Sequence, residues 1–390
     1  MLAPFGLRPK ATLSQRMLPL AAALVARGWR CTIVAPAYLH PADAGRRETL
    51  HGVQIEHVRL PRLPGPFEAL ETSARMLLAA RRHQPNLLHA FKPKGYSGLA
   101  AQMAHIVCPD LPLVQDTDDW EGWGGWNDLL PYSRPMKHFF AWQERTLPRW
   151  AASVTVASRT LESQVWGFGI DPNRVIYLPN GVPEQPRRLP DREEARRRLQ
   201  LGPAPVILLY TRFWEYPLHD IVEVLLVLRA RRPEVRLLVI GDGERGEAAA
   251  LRTLAERAGV GQMLDVRGWV DQAVIDDALA AADLAIAPFA DTLMNRAKCS
   301  AKLLQLLQAG VPLVASRVGQ AQEYVRSGET GLLVEPGGVP LAEGVLRLLE
   351  DPAWRQGLGS AAQHEVTARW NWSLLAQRAE HAYHLALERT

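Results

Sequence analysis

Two rhythms of apolar residues alternate along the chain. Short solid runs, at residues 31–35, 87–91, 152–158, 175–178, 206–210, 236–240, 264–266, 284–288 and 311–316, read as strands buried on both faces. Between them lie longer stretches with apolar residues three and four apart, as at 13–27, 69–82 and 137–150, which read as amphipathic helices. Strand and helix in strict alternation predict parallel sheets with helices packed on them. Residues 1–5 read as a short first strand, with a few residues expected ahead of Met1. The loop 6–12 and a helix ending at Gly28 follow, so the strand at 31–35 completes a β-α-β unit. A further strand is expected over 53–60, a Pro-rich loop over 61–66 and a closing helix over 370–389. The Pro-, Arg- and Glu-rich stretch 184–202 reads as a linker with a short charged helix. The strand pattern restarts after it, which divides the chain at 182/183 into two α/β domains.

Residues 295–337, NRAKCSAKLLQLLQAGVPLVASRVGQAQEYVRSGETGLLVEPG, are the most informative stretch. Ser300 is placed to cap a helix whose residues Leu303, Leu304, Leu306 and Leu307 face a core, and Gly310 and Pro312 stop it. A strand, a turn, a short helix with Glu323 and Tyr324, and a Gly-rich exit over 328–338 come next. Lys298 and Lys302 flank the helix start, where unpaired N–H groups and the helix dipole favour an anion. The expected ligand is phosphorylated.

Composition narrows the classes. An apolar fraction of 47% with 22% charged residues is that of a globular protein with cores of its own. No apolar run approaches the ~20 residues of a membrane-spanning helix. Cys31, Cys108 and Cys299 are too few and too scattered for a disulfide frame or a zinc site, which points to a reducing, cytoplasmic setting. Residues 1–180 hold 20 Lys and Arg against 14 Asp and Glu, and the rest 25 against 27. The basic half suits peripheral contact with the inner face of a membrane or a phosphorylated acceptor, though solvated arginines explain it equally well. The G-x-G-x-x-G dinucleotide fingerprint is absent after the first strand, and no nucleic-acid motif is present.

Between Gln115 and Asn127 stand four acids, three tryptophans and three glycines. That mixture suits a pocket lip, since indole faces stack on sugar rings and carboxylates hydrogen-bond hydroxyls. Asp116, Asp118 and Asp119 as a metal site is the weaker reading, because adjacent carboxylates more often cap turns, and no metal is expected. His89 lies within an apolar run and reads as a core histidine before a catalytic one. Lys92 and Lys94, at that strand's carboxyl edge, either pair with an acceptor phosphate or are solvated.

The pattern Lys302-x-x-Gln305-x-x-x-x-Gly310-Val311-Pro312-x-Val314-Ala315-Ser316, with Gly319-x-x-x-Glu323 and Gly328-x-x-Gly331-Leu332-Leu333-Val334-x-Pro336-Gly337, resembles the donor-binding region of retaining glycosyltransferases of family four. Pro179-Asn180-Gly181-Val182 resembles that family's hinge signature, with Pro183 in place of the usual aspartate. The resemblance implies the GT-B fold: two Rossmann-like, doubly wound parallel-sheet domains facing a central cleft. It implies a nucleotide-sugar donor held mainly by the second domain, and a last helix that crosses back to the first. The first loop, with Gly6, would face donor phosphates and acceptor. Arg212 matches the family's diphosphate arginine, although Thr211 replaces the glycine before it. The family's lysine falls near Tyr216 or Pro217 and is missing, which leaves Lys298 or Lys302 as substitute. The ribose-binding glutamate maps to Gln305. The sugar-binding glutamate maps to Ala297 counted back, or to Asp291 or Thr292 counted forward. Either Asp291 substitutes, the donor differs, or catalysis is lost. The family's histidine near Asp118 is also missing, so Asp118 would only orient the acceptor. Ser300, Glu323 and the loop Gly268-Trp269-Val270, a site for the base unless Trp269 is core, complete the donor set.

The expected function is transfer of a sugar from a nucleotide sugar, the co-substrate, to a sugar, lipid-linked or small-molecule acceptor with retention and without a further cofactor. A weakened GT-B protein that binds nucleotide or partner is the alternative.

Overall fold

A computed structural model describes residues 1–8 and 12–389. Pro9, Lys10 and Ala11 of the first predicted loop lie outside the described residues. The chain divides into two compact units, Met1–Gly181 with Ala297–Cys299 and Trp370–Thr390, and Val182–Arg296 with Ser300–Arg369.

The first unit's sheet consists of β1 (Thr32–Ala35), β2 (Arg47–Leu50), β3 (Val53–His57), β4 (Leu88–Phe91), β5 (Leu113–Thr117), β6 (Ser153–Val156) and β7 (Val175–Tyr177). It runs in two blocks, β1-β3-β2 and β4-β5-β6-β7, joined by Leu2, which bridges Val34 on one side and Ala90 on the other. The expected strand over residues 1–5 is therefore reduced to a bridge. Pro4 has no N–H to continue a ladder, and the backbone bends there. Two further expectations are corrected. The strand at 53–60 ends at His57, and it pairs antiparallel with β2, an edge strand of alternating exposure whose charged sequence RETL hid it. The helix expected over 13–27 opens as a π-helical turn, Leu13–Met17, and continues as Leu18–Ala26. The end of the chain forms two helices, Pro352–Arg369 and Trp372–Leu387, the second capped by Asn371, whose Oδ1 accepts from Leu374 N. Its Trp372, Leu375, Ala379 and Tyr383 pack into the first unit's core with Leu13, Leu20, Ile33 and Phe91.

The second unit is built on β8 (Val206–Tyr210), β9 (Arg236–Ile240), β10 (Leu264–Val266), β11 (Leu284–Ala287), β12 (Leu313–Ser316) and β13 (Leu332–Val334), all parallel, in the order β10-β9-β8-β11-β12-β13. The Gly-rich exit expected over 328–338 contains β13, and Gly338 opens the Gly338–Glu350 helix. The linker holds the expected short helix, at Arg192–Arg198. Ser300 caps the Ala301–Gln308 helix, its Oγ accepting from Leu303 N at 3.3 Å, and Leu303, Leu304, Leu306 and Leu307 are buried. Each such leucine contributes about 2 kcal/mol through burial.

Candidate active site

The Leu2 bridge in the first unit and β8 in the second each sit in the middle of a sheet, and the chain leaves each in two directions, so neighbouring loops diverge at the carboxyl end. This is where open parallel sheets bind ligands. In the second unit the divergence lies between β8 and β11. Thr211-Arg212-Phe213 follows β8, its turn held by Phe213 N donating to Thr211 Oγ1 at 2.6 Å. Gly241, at φ 115°, passes so close that a Cβ there would stand 1.9 Å from the Thr211 carbonyl oxygen, so only glycine fits. Gly241 N in turn donates to Gly268 O at 2.8 Å, which sets the Gly268–Val270 loop beside it. After β11, Ala290 N and Asn295 Nδ2 both donate to Glu215 O, stitching that loop to the one after β8.

Against this frame the second-domain residues named from the sequence take definite places. Arg212 reaches out to Glu244 at 3.1 Å with both side chains about half exposed, a pairing water screens. Lys302, in the first turn of the capped helix, holds its ammonium 5.4 Å from the ring centroid of Tyr210, the last residue of β8. Arg212, Lys302 and the Ser300 cap therefore gather at one strand end, with Gln305 one turn along the helix. Tyr216, near which the family's lysine falls, is buried against Phe289. Asp291 makes a two-pronged ion pair with Arg296, which holds its carboxyl below the usual range. Ala297 is buried, and Thr292 accepts from Asn295 N. Trp269 is 62% exposed, so its reading as core is corrected. Glu323 lies exposed on the short Ala321–Tyr324 helix, after Gly319, where a Cβ would strike the Arg296 backbone.

The first unit holds a different arrangement: within residues 115–127, read from the sequence as a pocket lip, the four acids are each tied to a lysine or arginine. Asp116 is fully buried and bound by Arg16, Nε to Oδ2 at 2.9 Å and Nη2 to Oδ1 at 2.6 Å, and it accepts from Thr155 Oγ1. Arg16 also donates to Leu178 O and to Asn180 Oδ1. Asn180, of the hinge signature, donates to Cys299 O at 2.7 Å. Lys92 is neither solvated nor free for a phosphate. It is 5% exposed, with a left-handed backbone at φ 64°, and its Nζ lies 3.0 Å from Asp118, 2.5 Å from Asp119 and 2.8 Å from Glu121. Burial works against that ammonium, but the three carboxylates outweigh it and hold its pKa well above the lysine range. The three acids stand close enough to share a metal ion, and the cation they share is Lys92. Burial still raises Asp118 and Asp119, while the two lysines Lys92 and Lys94 outweigh it at Glu121 and lower that carboxyl. Lys94 meets Glu121 at 2.8 Å.

Glu144 fixes the same loop from below. Its Oε1 accepts from Glu121 N at 2.6 Å, and a Cβ on Gly122 would stand 2.3 Å from its Oε2. Burial pushes this carboxyl up to about 7. Thr12 Oγ1 donates to Asp118 at 3.3 Å, and Lys298 sits 5.9 Å from the Trp126 ring centroid, where its charge offsets a small part of the rise that burial causes at Asp119. Gly6 packs against the Pro36 carbonyl and His57, and Leu7 N donates to His57 Nε2. His89 is a core residue, bonded to Tyr383 and Thr155. The sequence missed Arg16 and the role of Lys92. The signal that could have found Lys92 was a surplus of acids within one apolar-flanked loop.

Residues 12–181 match the family described as glycosyl transferase 4-like domain, and residues 204–351 match glycosyl transferases group 1. The chain is 32% identical over 332 residues to the GDP-mannose-dependent alpha-(1-6)-phosphatidylinositol monomannoside mannosyltransferase of Mycobacterium tuberculosis, across 83% of this chain and 81% of that one. It is 28% identical over 309 residues to the glycogen synthase of the same species, across 78% and 69%. Among solved structures, Anabaena Alr3699/HepE with UDP and glucose superposes with a TM-score of 0.74 over 98% of both chains at 19% identity. Sucrose-phosphate synthase from Thermosynechococcus elongatus gives 0.72 over 95% and 92% at 21% identity. These structural likenesses establish the GT-B fold. With two family matches that together span most of its length and a relative above 30% identity over most of both chains, this chain belongs to the glycosyl transferases group 1 family and is a glycosyltransferase.

Proposed function

We propose that the enzyme transfers a hexosyl group, with retention, from a nucleoside diphosphate sugar held by its second unit to a lipid-linked polyol or sugar acceptor of the cell envelope. The observation that carries the donor half is the gathering of Arg212, Lys302 and the capped helix start at the end of β8. Cleaving the anomeric C–O bond moves negative charge onto the leaving diphosphate, and preset cations and helix N–H groups stabilise that charge most where it develops. Arg212 and Lys302 are assigned to the diphosphate, Gln305 to the ribose hydroxyls, and the Gly268–Val270 loop to the base. Glu323 completes the donor's surroundings on that unit. Asp291 would reach the sugar only by giving up Arg296.

For retention, the support is chemical. Asp118 and Asp119 are bound to Lys92, and Asp116 to Arg16, so none of them stands free to act as a strong base on an acceptor. The departing phosphate is left to take the acceptor proton on the face it leaves. Asp118 then orients the acceptor hydroxyl, and Lys298 offsets the acid-rich loop. No further cofactor or metal enters this scheme.

The acceptor class and a GDP-mannose donor are supported by the mycobacterial mannosyltransferases, whose names specify both for those proteins. A lipid-linked acceptor calls for peripheral membrane contact, and the described residues include no helix long and apolar enough to cross a membrane. The test is a panel of GDP-, UDP- and ADP-sugars offered with phosphatidylinositol mannosides and with soluble sugars, following nucleotide release and the anomeric configuration of the product by NMR. An inverted product sinks the mechanism, and turnover with soluble acceptors alone sinks the acceptor assignment.

A further inference from the structure

We infer that the outer face of the Arg134–Trp150 helix, with the end of the Gly95–Val107 helix beside it, is the surface by which the first unit docks on an anionic lipid membrane. The helix reads RPMKHFFAWQERTLPRW, with Arg134, Lys137, Arg145 and Arg149 as its cations. Its one carboxylate, Glu144, is turned into the core. Residues 134, 138, 142, 145 and 149 all face solvent, at the spacing of one helical stripe.

That stripe is aromatic as well as basic. Trp142 is 46% exposed. Trp142 lies 5.8 Å from Phe139 and 6.1 Å from Trp150, ring centre to ring centre, and Trp150 is stacked on His105 at 4.7 Å. Through that stack the last turn of the neighbouring helix joins the face, and it exposes Ile106 at 72% and Val107 at 58%. At the other end Trp123 meets His138 edge-on at 5.3 Å. One continuous surface thus carries large apolar side chains among cations, with no exposed acid on its central helix.

Burying this stripe's aromatic side chains in another protein would leave Arg134, Arg145 and Arg149 to be matched one by one. A bilayer boundary matches both at once, because indole rings settle at the headgroup level and guanidinium groups meet lipid phosphates. The helix is about 26 Å long, enough to lie in the interface plane but of the wrong composition to cross it. This inference rests on the lipid-linked acceptor proposed above and names the surface that presents the enzyme to it. None of its residues belongs to the donor or acceptor machinery.

The test is sedimentation of the full chain with sucrose-loaded vesicles of phosphatidylcholine alone or with 30 mol% phosphatidylinositol or phosphatidylglycerol, for wild type, Trp142→Ser, Arg145→Glu and the double variant. Melting curves and release of nucleotide from a soluble donor check that the variants fold. Wild type should bind the anionic vesicles and not the neutral ones, and the charge reversal should lower partitioning by roughly tenfold, and the double variant further. Brominated lipid should quench wild type more than Trp142→Ser. Equal binding by wild type and folded variants would overturn this surface while leaving membrane contact standing elsewhere. No binding by wild type would overturn both, and so would a concentration-dependent dimer that Trp142→Ser abolishes without any vesicle binding. If both single variants misfold, the quenching of wild type by bromines placed at successive depths decides: quenching at headgroup depth supports the inference, and none overturns it.

Discussion

Beyond β4 and β5 of the first unit the ionic side chains are sealed: Lys92 is 5% exposed, Glu121 3% and Asp116 not at all. Beyond β8 and β10 of the second unit, at equivalent strand ends, the Arg212 side chain is 44% exposed and Trp269 62%. The first arrangement has already met its own charges. Each acid has a lysine or arginine within 3 Å, so its geometry is set before any ligand arrives. The second keeps long side chains loosely paired at a helix start that favours anions, which is what a surface needs in order to exchange a diphosphate at every turnover. One unit orders a loop with buried charge, and the other keeps its charge at the surface, where the proposed donor site needs it.

The strongest way to break this comparison is to remove the central cation of the first unit. Lys92→Met leaves Asp118, Asp119 and Glu121 facing one another, and breaking a buried ionic cluster by deleting one partner costs about 3 to 5 kcal/mol. Thermal or urea unfolding should show that loss. A variant as stable as wild type would mean that the cluster stands without its ammonium.

In the second unit the expected effect falls on rate and not on stability. Lys302→Met should lower turnover by about a hundredfold or more, the usual loss for one electrostatic contact to developing charge, with little change in melting temperature. Lys298→Met, on the first unit, should cost much less. If Lys298→Met is the crippled variant instead, the assignment of the diphosphate lysine is reversed.

These contrasts show why one half of the chemistry was legible in the sequence and the other was not. The capped helix at Ser300, its leucines and the strand alternation all follow from short-range periodicity and capping, which leave their mark within a few neighbouring residues. The family's motif likewise lies in one short stretch from Lys302 to Gly319, legible even though Gln305 replaces its glutamate. Lys92 and Glu121 are 29 positions apart, and Arg16 and Asp116 are 100. Charges that pair across the sheet carry no local signature, so four acids in thirteen residues gave no sign of the distant lysine and arginine that hold them. The edge strand β2 escaped for a related reason, since exposed strand residues read like a loop.

A smaller effect sharpens the role of Arg212. Arg212→Ala should weaken binding of the nucleoside diphosphate by about 1.5 to 3 kcal/mol and leave binding of the bare nucleoside unchanged, because only the former loses a charge-assisted bond. Titration calorimetry with both ligands decides it, and equal losses would make Arg212 structural.

The last difference is in pH. Glu144 has its pKa pushed up to about 7 by burial, against 4.5 for an ordinary glutamate. Between those values the folded protein holds a proton that the unfolded chain releases. A group bound more tightly to its proton in the folded state makes stability fall as pH rises through that window, and leaves it flat outside. The size should be on the order of 2 kcal/mol between pH 4.5 and 7. Two buried histidines oppose it. Burial lowers His57 and His89, so the unfolded state gains protons at these sites as pH falls below about 6.5, and stability falls with pH there. The clean measurement is therefore the difference between wild type and Glu144→Gln, in which the histidine contributions cancel. The amide keeps an oxygen for Glu121 N and carries no proton to release, so the variant should gain on wild type as pH rises from 4.5 to 7. Because the titrating carboxyl sits beneath the loop that Lys92 holds, the protection of Glu121 N and Gly122 N, taken relative to the intrinsic exchange rate at each pH, should change more over the same range in wild type than in Glu144→Gln. A pH-independent difference between the two proteins would show that Glu144 keeps an ordinary pKa, and that the first unit's burial does not reach this carboxyl.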